Sequence, residues 1–551
     1  MTSSFSARSD DGRARLPAHT TCDVAIVGYG PVGMTLAALL AQYGLDVIAV
    51  ERYSKRFSLP RAGHFDGETM RGAFQRLGIA KAVELMARPM LSYELVTPEQ
   101  EVLQSVKLGT GGSGWKESYL FYQPDLEDII DARGVELGVH VFMGYTATEI
   151  TQDTGGAVLS VQETDNEATD GCRIEAAYVI GADGANSFVR QALGIGRRDL
   201  GFPAIDNLVL DFEHNDPDRD VPQLGEVRQI LDVRRPTLVG RWSGNRWSRL
   251  EFRRLEGESR EYLESESTAW RLLSTYGLKP SLGRIVRRAI HTFESTLAER
   301  WRAGRVLLAG DSAHTTPPFM GQGMCSGIRD ALNLAWKLDA VLGGRADDVL
   351  LDTYESERAP HVHEVIKMAN AIGESVQVTD PLLGKLRDDA LRAKRAEPPP
   401  PFPRLGDGVV RAQSDERAID ADGRPGLQAR VALDGRVDLL DQFVGTGWRI
   451  ISRHAVSEEI FDGQQKNLLS QLGVSIAHVS RGPGPDYFVD IDAEYDLWFR
   501  TTGRKAFLVR PDNYVFGSVA TVTDLPSLVD ELAESLKKAG SRDPFRTCAI
   551  R

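Results

Sequence analysis

The sequence predicts an α/β protein: a Rossmann-like nucleotide-binding domain with an inserted, mostly antiparallel sheet, followed by a C-terminal α/β domain. Three observations predict it. The chain has 551 residues, and a single hydrophobic core stops growing near ~250–300 residues, so two or three domains are required. Short continuous apolar runs, at 24–27, 179–180 and 306–309, read as strands buried on both faces. Each run leads into a turn that contains glycine.

Composition narrows the class. The chain is 42% hydrophobic and 26% charged, an ordinary globular balance that excludes disordered, collagen-like and coiled-coil chains. A net charge of −13 argues against nucleic-acid binding, which needs a basic face. Glycine, at 53 residues, exceeds the usual ~7% and suggests tight turns or close approach of backbone to a ligand. The four cysteines, Cys22, Cys172, Cys325 and Cys548, form no CxxC pair, so no metal site is expected and the thiols read as reduced, in a cytoplasmic protein.

Taken in order, residues 1–20 read as a disordered polar leader without a signal-peptide core. Residues 24–50 are long and apolar enough to suggest a membrane span. Gly28, Gly30, Pro31, Gly33, Gly44 and Asp46 interrupt them, so no membrane association is expected. The segment reads instead as a strand, a tight turn, a buried helix over 35–43 capped by Gly44, and a second strand over 46–50. Residues 205–300 carry strand-like runs at 208–212, 237–242 and 249–252. Helices are expected over 327–342 and 351–375. Pro398 to Pro401 and Pro403 mark a stiff linker over 386–405. That divides the chain into a domain over 21–385 and a C-terminal unit over 406–551, which ends in an amphipathic helix near 525–539.

Gly28-Tyr29-Gly30-Pro31-Val32-Gly33 is a GxGxxG between strand and helix. Gly28 permits the turn, Gly30 lets backbone approach a pyrophosphate, and Gly33 lets helix pack on strand. The helix N-terminus then presents free N–H groups to the phosphates. Glu51, at the end of the second strand, suits two ribose hydroxyls and would repel a 2′-phosphate, which leaves FAD or NAD. The second constellation decides for FAD. Gly310-Asp311 follows the 306–309 strand, and Asp311 suits the ribityl hydroxyls, which NAD lacks. Gly321, Gln322, Gly323 and Met324 open a helix whose N–H groups suit the flavin pyrimidine edge. Pro317-Pro318 gives a donor-free wall for the ring. Between these motifs, Asp183-Gly184 ends a third strand.

These three motifs, in this order, resemble those of class A flavoprotein monooxygenases, the group that includes para-hydroxybenzoate hydroxylase. The resemblance spans roughly residues 22–375. It is most marked to 3-(3-hydroxyphenyl)propionate hydroxylase, through Leu350 to Arg358 and Leu508-Val509-Arg510-Pro511-Asp512. The resemblance implies a Rossmann-like FAD-binding domain, an inserted substrate-binding sheet and a thioredoxin-like C-terminal domain without CxxC. It implies that Arg52, Arg61, Gln123 and Asp183 also touch FAD, and that the C-terminal domain has a structural or dimer-supporting role, so a homodimer is allowed. It implies that NADH or NADPH reduces the flavin, that O2 then forms a C4a-hydroperoxide, and that a phenol is hydroxylated, as in aromatic catabolism. The alternatives are hydroxylation with loss of nitro or halide, tailoring of a polyketide, a flavin reductase that uses no oxygen, and a flavin-binding protein without turnover. Cys325 departs from the family, where Asn is usual, and reads as a small packed residue.

The substrate is expected between the FAD domain and the 205–300 sheet. The candidates there are Trp242, Trp247 and Phe252, with His64, Asp66 and Pro318 for catalysis. Arg241 and Arg253 are candidates for a substrate carboxylate. No catalytic base is assigned, because hydrogen-bond reach is not written in a sequence.

Overall fold

The computed structural model describes residues 15–56, 61–165, 171–219, 221, 224–393, 401–412, 419–482, 484 and 487–538. Its first layer is an eight-stranded sheet. Six strands run in the order Arg302–Ala303, Val306–Leu308, Cys172–Gly181, His19–Val27, Val47–Glu51 and His140–Met143. All these neighbours are parallel except the antiparallel edge at Arg302–Ala303. Tyr145–Gln152 and Ala157–Glu163 extend Cys172–Gly181 as an antiparallel meander.

Val24, Ala25 and Ile26 are wholly buried, as a parallel strand covered on both faces must be. The helix Pro31–Gln42 begins four residues earlier than the apolar pattern suggested, because Pro31 takes the first helical position, where no N–H is needed. Every residue from Gly33 to Ala41 is buried. Gly44 ends it at φ +86°, with its N–H on the Ala41 carbonyl.

Register brings the motifs together. Val27 pairs with both Val50 and Gly181, and Gly181 pairs with Leu308. Gly28, Glu51, Ala182 and Ala309 therefore line one carboxyl edge of the sheet, although nearly 300 residues of chain separate the first from the last. Ligands of open α/β sheets bind at that edge.

The second sheet has seven strands in the order Gly283–Phe293, Ile205–His214, Trp247–Arg253, Thr237–Arg241, Val227–Ile230, Ser92–Val96 and Val102–Lys107. The expected sheet over 205–300 is thus completed by two strands from before residue 110. Ser92–Val96 runs parallel to Val227–Ile230, and every other pairing is antiparallel. One face carries Leu208, Leu210, Phe212, Leu250 and Phe252, which pack with Leu263, Ala269, Leu272 and Leu273 of the helices Arg260–Leu263 and Glu266–Ser274. The other face turns toward the first layer.

The C-terminal sheet orders its strands Arg436–Leu439, Arg430–Leu433, Phe488–Asp490, Ser475–Ser480, Arg449–Ser452, Ala506–Val509 and Val515–Val519. A parallel pair joined through the helix Gly463–Gln471, then an antiparallel pair and the helix Leu525–Lys538, give the thioredoxin-like arrangement. The unit is not a loosely tethered domain. Trp336, Ala340 and Leu350 of the first domain share one apolar core with Trp448, Leu508 and Leu532. Arg510 donates to Glu357 at 2.7 Å and Lys337 donates to the same carboxylate at 2.9 Å, all fully buried. Arg71 pairs with Asp441 at 2.8 Å.

Two boundary expectations are corrected. Leu16 is buried and the first strand starts at His19, so the expected leader does not reach residue 20; residues 1–14 lie outside the described residues. Residues 386–393 belong to the helix Pro381–Ala393, in which Gly384 and Arg387 are buried; most of the proline run lies outside the described residues. Cys548 lies outside them as well. No described helix is long and apolar enough to cross a membrane, and no described cluster of His, Cys, Asp and Glu is suited to a metal ion.

Candidate active site

The nucleotide end of the site is built by glycine. A Cβ on Gly28 would stand 2.4 Å from the Ala182 carbonyl oxygen, and its φ is +99°. A Cβ on Gly33 would stand 2.1 Å from the Gly28 oxygen. Gly30 is different: nothing lies within 4 Å of where its Cβ would be, and its backbone is extended. Two glycines are required by packing and the third faces open room at a helix N-terminus, as a pyrophosphate cradle demands. Glu51 is aimed at the same turn. Its Oε2 accepts the Tyr29 N–H at 2.9 Å and its Oε1 accepts the Tyr53 N–H at 3.1 Å. Each oxygen keeps a lone pair for a ribose hydroxyl. The neighbouring Arg52 is exposed and lies over the Tyr53 ring.

The flavin end is held by a buried network that sequence reasoning missed. Asp330 accepts the Gly310 N–H at 3.0 Å, the His314 Nε2 at 2.7 Å and the Arg358 Nε at 2.9 Å. It fixes the turn that presents Asp311. Asp311 itself is open to solvent, yet surrounding protein desolvates it and raises its pKa. That combination marks a carboxylate on the floor of a cleft. Gly321 adopts a left-handed conformation, φ +63°, and starts the helix Gly323–Leu342, where Gly323 also has open room at its Cβ position. Asp183 accepts the Val189 N–H at 3.1 Å through one oxygen, while its Oδ1 is buried without a partner. Desolvation raises its pKa too. Open glycine positions, an orphaned carboxylate oxygen and the Asp311 floor on one sheet edge fit FAD.

Other expected residues are placed as follows. The Gln123 carboxamide is fully engaged: Oε1 accepts the Arg61 and Ala62 N–H groups at 2.7 and 2.8 Å, and Nε2 donates to Glu127 at 2.7 Å. It positions the Arg61 loop. Burial pushes Glu127 up to about 7. The field of Arg61 reaches Asp311 on one side and Arg287 and His291 of the second sheet on the other. Arg61 therefore stands between the two layers.

Asp66 is not free to act as a base. It accepts the Thr69 N–H at 2.9 Å and pairs with buried Arg329, which also holds Gln322 and Glu68. Burial opposes its ionisation, but the Arg329 cation and the Thr69 N–H hold its pKa down at about 2. His64 joins the Ser118 hydroxyl, at 2.7 Å, to the Gly321 carbonyl, at 3.2 Å, and burial lowers its pKa. It is a neutral strut under the flavin loop. Pro318 is exposed in that loop. Cys325 is 0% exposed, with its thiol near the Gly321 oxygen, and burial pushes it up to about 12.

Trp242 donates to the Gly63 carbonyl at 2.7 Å, and Trp247 stacks on Tyr122 at 4.1 Å. Both tie the second sheet to the first domain. Phe252 is a correction: it packs in the outer core with Leu208 and Leu272, because strand alternation turns it away from the flavin side. Arg241 is used structurally, donating to the carbonyls of Arg219, Pro217 and Asn245. The residues that do face the first domain are Tyr93, Asn207, Arg249, Glu251, Arg253, Arg287 and His291. Their signal was present in the sequence as charged residues at 249, 251 and 253 alternating with Leu250 and Phe252.

Known proteins share this arrangement. Residues 21–369 match the family model described as FAD binding domain, and residues 423–535 match the HcaD C-terminal domain. The chain is 38% identical over 536 residues to a "Probable NADH-specific resorcinol 4-hydroxylase" of Rhodococcus jostii (strain RHA1), covering 95% of this chain and 97% of the relative. It is 30% identical over 589 residues to 3-(3-hydroxy-phenyl)propionate/3-hydroxycinnamic acid hydroxylase 1 of Burkholderia vietnamiensis (strain G4 / LMG 22486), covering 94% and 93%. Among solved structures, the flavin-dependent monooxygenase PieE with FAD and substrate aligns with a TM-score of 0.75 at 21% identity, over 94% of this chain and 99% of that one. Aklavinone-11 hydroxylase with FAD and aklavinone aligns at 0.75 and 24%, over 93% and 99%. These structural likenesses establish the fold.

Proposed function

This chain belongs to the FAD binding domain family of flavoprotein monooxygenases, and we propose on that premise that it hydroxylates a small dihydric phenol of the resorcinol type with NADH as electron donor. The observation that carries the substrate class is the 38% identity, over 95% of the chain, to a relative named for resorcinol and NADH. A second GxGxxG, Gly109 to Gly114, lies between the strands Val102–Lys107 and Ser118–Leu120 and opens no helix, so it makes no second dinucleotide turn, which agrees with a donor that visits the flavin and leaves.

In this reading Gly30 and Pro31 take the pyrophosphate at the helix N-terminus, Glu51 the adenosine ribose, and Asp311 the ribityl chain. Gly321 to Met324 offer N–H groups to the pyrimidine edge, and Arg61 and Asp183 flank the ring. When bound, FAD supplies the acceptance of hydride from NADH and the activation of O2. The chain's own residues orient the phenol, exclude water and handle its proton. The Phe202–Phe293–Phe319 cluster, with ring centroids 5.5 and 5.7 Å apart, closes one side of the space between the Pro318 loop and the second sheet and keeps it dry.

The test is NADH consumption by the FAD-loaded protein in air, with and without resorcinol, coupled to product mass. The reading expects consumption that depends on the phenol and a product heavier by one oxygen atom. Consumption that yields only hydrogen peroxide with every phenol refutes it.

A further inference from the structure

We infer that Glu251 is the carboxylate that accepts a ring hydroxyl of the substrate and takes up its proton as the ring is oxygenated. The inference rests on the phenol-hydroxylase reading above.

The geometry begins with alternation along Trp247–Arg253. Leu250 and Phe252 lie in the outer core, so Arg249, Glu251 and Arg253 face the FAD domain. Contact confirms the side: an Arg249 Nη1 donates to the Arg61 carbonyl at 3.3 Å. Glu251 is therefore two residues along one strand face from a group that touches the Arg61 loop.

Its surroundings leave the carboxylate unclaimed. Directly across the neighbouring strands stand Val209 and Leu238, neither of which bonds to it. The row on one side is Arg249, Asp211 and Arg287. Arg249 gives Asp211 hydrogen bonds of 2.7 and 3.1 Å, and Arg287 stands 3.7 Å from the same carboxylate. The row on the other side is His291, Asn207 and Arg253. Tyr93 faces Glu251 from the Ser92–Val96 strand. Among the described residues nothing donates a hydrogen bond to Glu251. Asp211 balances one of the two guanidinium charges in its row, and the remaining positive charge offsets an ionised Glu251.

Two features say what this acceptor takes. The Asn207 Oδ1, on the same face one row away, is buried without a partner although Asn207 is only 2% exposed. The site thus presents two acceptors and asks for a ligand with hydroxyl donors, which an uncharged dihydric phenol supplies and a carboxylate does not. Burial raises the pKa of Glu251, opposed by the Arg249 cation, so its proton affinity exceeds that of a solvated glutamate. The ring carbon uses an aromatic electron pair to bond one oxygen atom of O2 as the O–O bond breaks, the other oxygen leaves as water with the two electrons NADH supplied, and the phenol O–H bond breaks. That bond's electron pair becomes the second C–O bond of the dienone, and the proton forms the Glu251 O–H. Loss of the ring proton then restores the aromatic product. The groups facing Glu251 from every packed element are Arg249 and Arg253 on its own strand, Asp211, Arg287, His291 and Tyr93, with Arg61 across the interface.

The test compares Glu251→Gln, Glu251→Asp and Arg253→Met with the unmodified FAD-loaded enzyme, reading kcat/KM, resorcinol Kd and FAD content. For Glu251→Gln the inference expects unchanged FAD content, resorcinol binding weaker by about fivefold or more, and kcat/KM at pH 7 lower by about a hundredfold or more. That loss shrinks below about tenfold for a nitro-substituted phenol already ionised at pH 7, because an ionised phenol needs no base. Glu251→Asp recovers part of the loss. An equal loss with ionised and un-ionised phenols, no loss at all, or a loss of resorcinol turnover in Arg253→Met but not in Glu251→Gln overturns it. Failure of the underlying reading is distinguishable, since it shows as absent product in the unmodified enzyme.

Discussion

Replacing Gly30 with alanine separates cofactor binding from folding. Nothing stands within 4 Å of the new methyl, and Gly30 already has φ −86° and ψ −175°, which alanine adopts freely. The apo fold therefore loses only about 0.5–1 kcal/mol, the margin by which glycine is preferred to alanine at a helix N-cap. The methyl instead occupies the room through which the helix N-terminus meets a pyrophosphate. Losing one charge-assisted hydrogen bond there costs about 1.5–3 kcal/mol, or about ten- to hundredfold in FAD affinity. Gly33→Ala is the control with the opposite signature. Its Cβ would stand 2.1 Å from the Gly28 oxygen, so helix and strand must separate by about 1 Å, an overpacking cost of about 1–3 kcal/mol that lowers the apo melting temperature itself. The assay is titration of each apo-protein with FAD, beside a thermal melt of the apo form. Gly30→Ala with an unchanged FAD Kd, or with an apo melt as depressed as that of Gly33→Ala, refutes the assignment of that space to the pyrophosphate.

Asp311→Ala is expected to purify largely without flavin, because the cleft floor loses its acceptor; full yellow occupancy counts against Asp311. Asp66 ionises in the folded state at about 2, against 3.8 as its ordinary value, so the native state binds fewer protons than the unfolded one between these values. Its stabilisation, about 2 kcal/mol, is present above pH 4 and is lost as pH falls toward 2; Asp66→Asn should flatten that acid limb in denaturant titrations. Arg71→Met removes one of two cations on Asp441, which is 0% exposed on its side chain and keeps Arg449 at 3.4 Å, and should cost about 1.5–3 kcal/mol by chemical denaturation. Cys325→Ala should keep its flavin and its turnover, and Cys325 should resist a maleimide at pH 7 in the folded protein, since burial holds its thiol up at about 12.

The nucleotide half of the site was legible because its chemistry is written locally. Gly28, Gly30, Gly33 and Glu51 lie within one strand–turn–helix–strand unit, and the parallel register carries the Asp183 and Asp311 turns to the same edge. The substrate half was not legible in the same way. Trp242, Trp247 and Phe252 are candidates by their place on the expected 205–300 sheet, yet which side a strand residue faces depends on what covers the sheet. The helix Glu266–Ser274 covers the Phe252 side and thereby selects Arg249, Glu251 and Arg253 for the interior. Asp66 was attractive as an acid near the Arg61 loop, and its partner Arg329 is 263 residues away in sequence. The linker was overextended because prolines past 397 say nothing of residues 386–393, which the Pro381–Ala393 helix claims through Gly384 and Arg387. Tight docking of the C-terminal unit depends on the Lys337–Glu357–Arg510 cluster, whose members lie on three separate elements.

The central claim is that the two layers hold FAD and a phenol together for NADH-driven oxygenation. Stopped-flow measurement of flavin reduction and reoxidation, with product counted against NADH in the presence of resorcinol and air, tests it most directly. The account predicts bleaching by NADH, reoxidation by O2, and close to one trihydroxybenzene for each NADH consumed. Flavin that NADH never bleaches, or that reoxidises with hydrogen peroxide in place of hydroxylated product for every phenol, would contradict it.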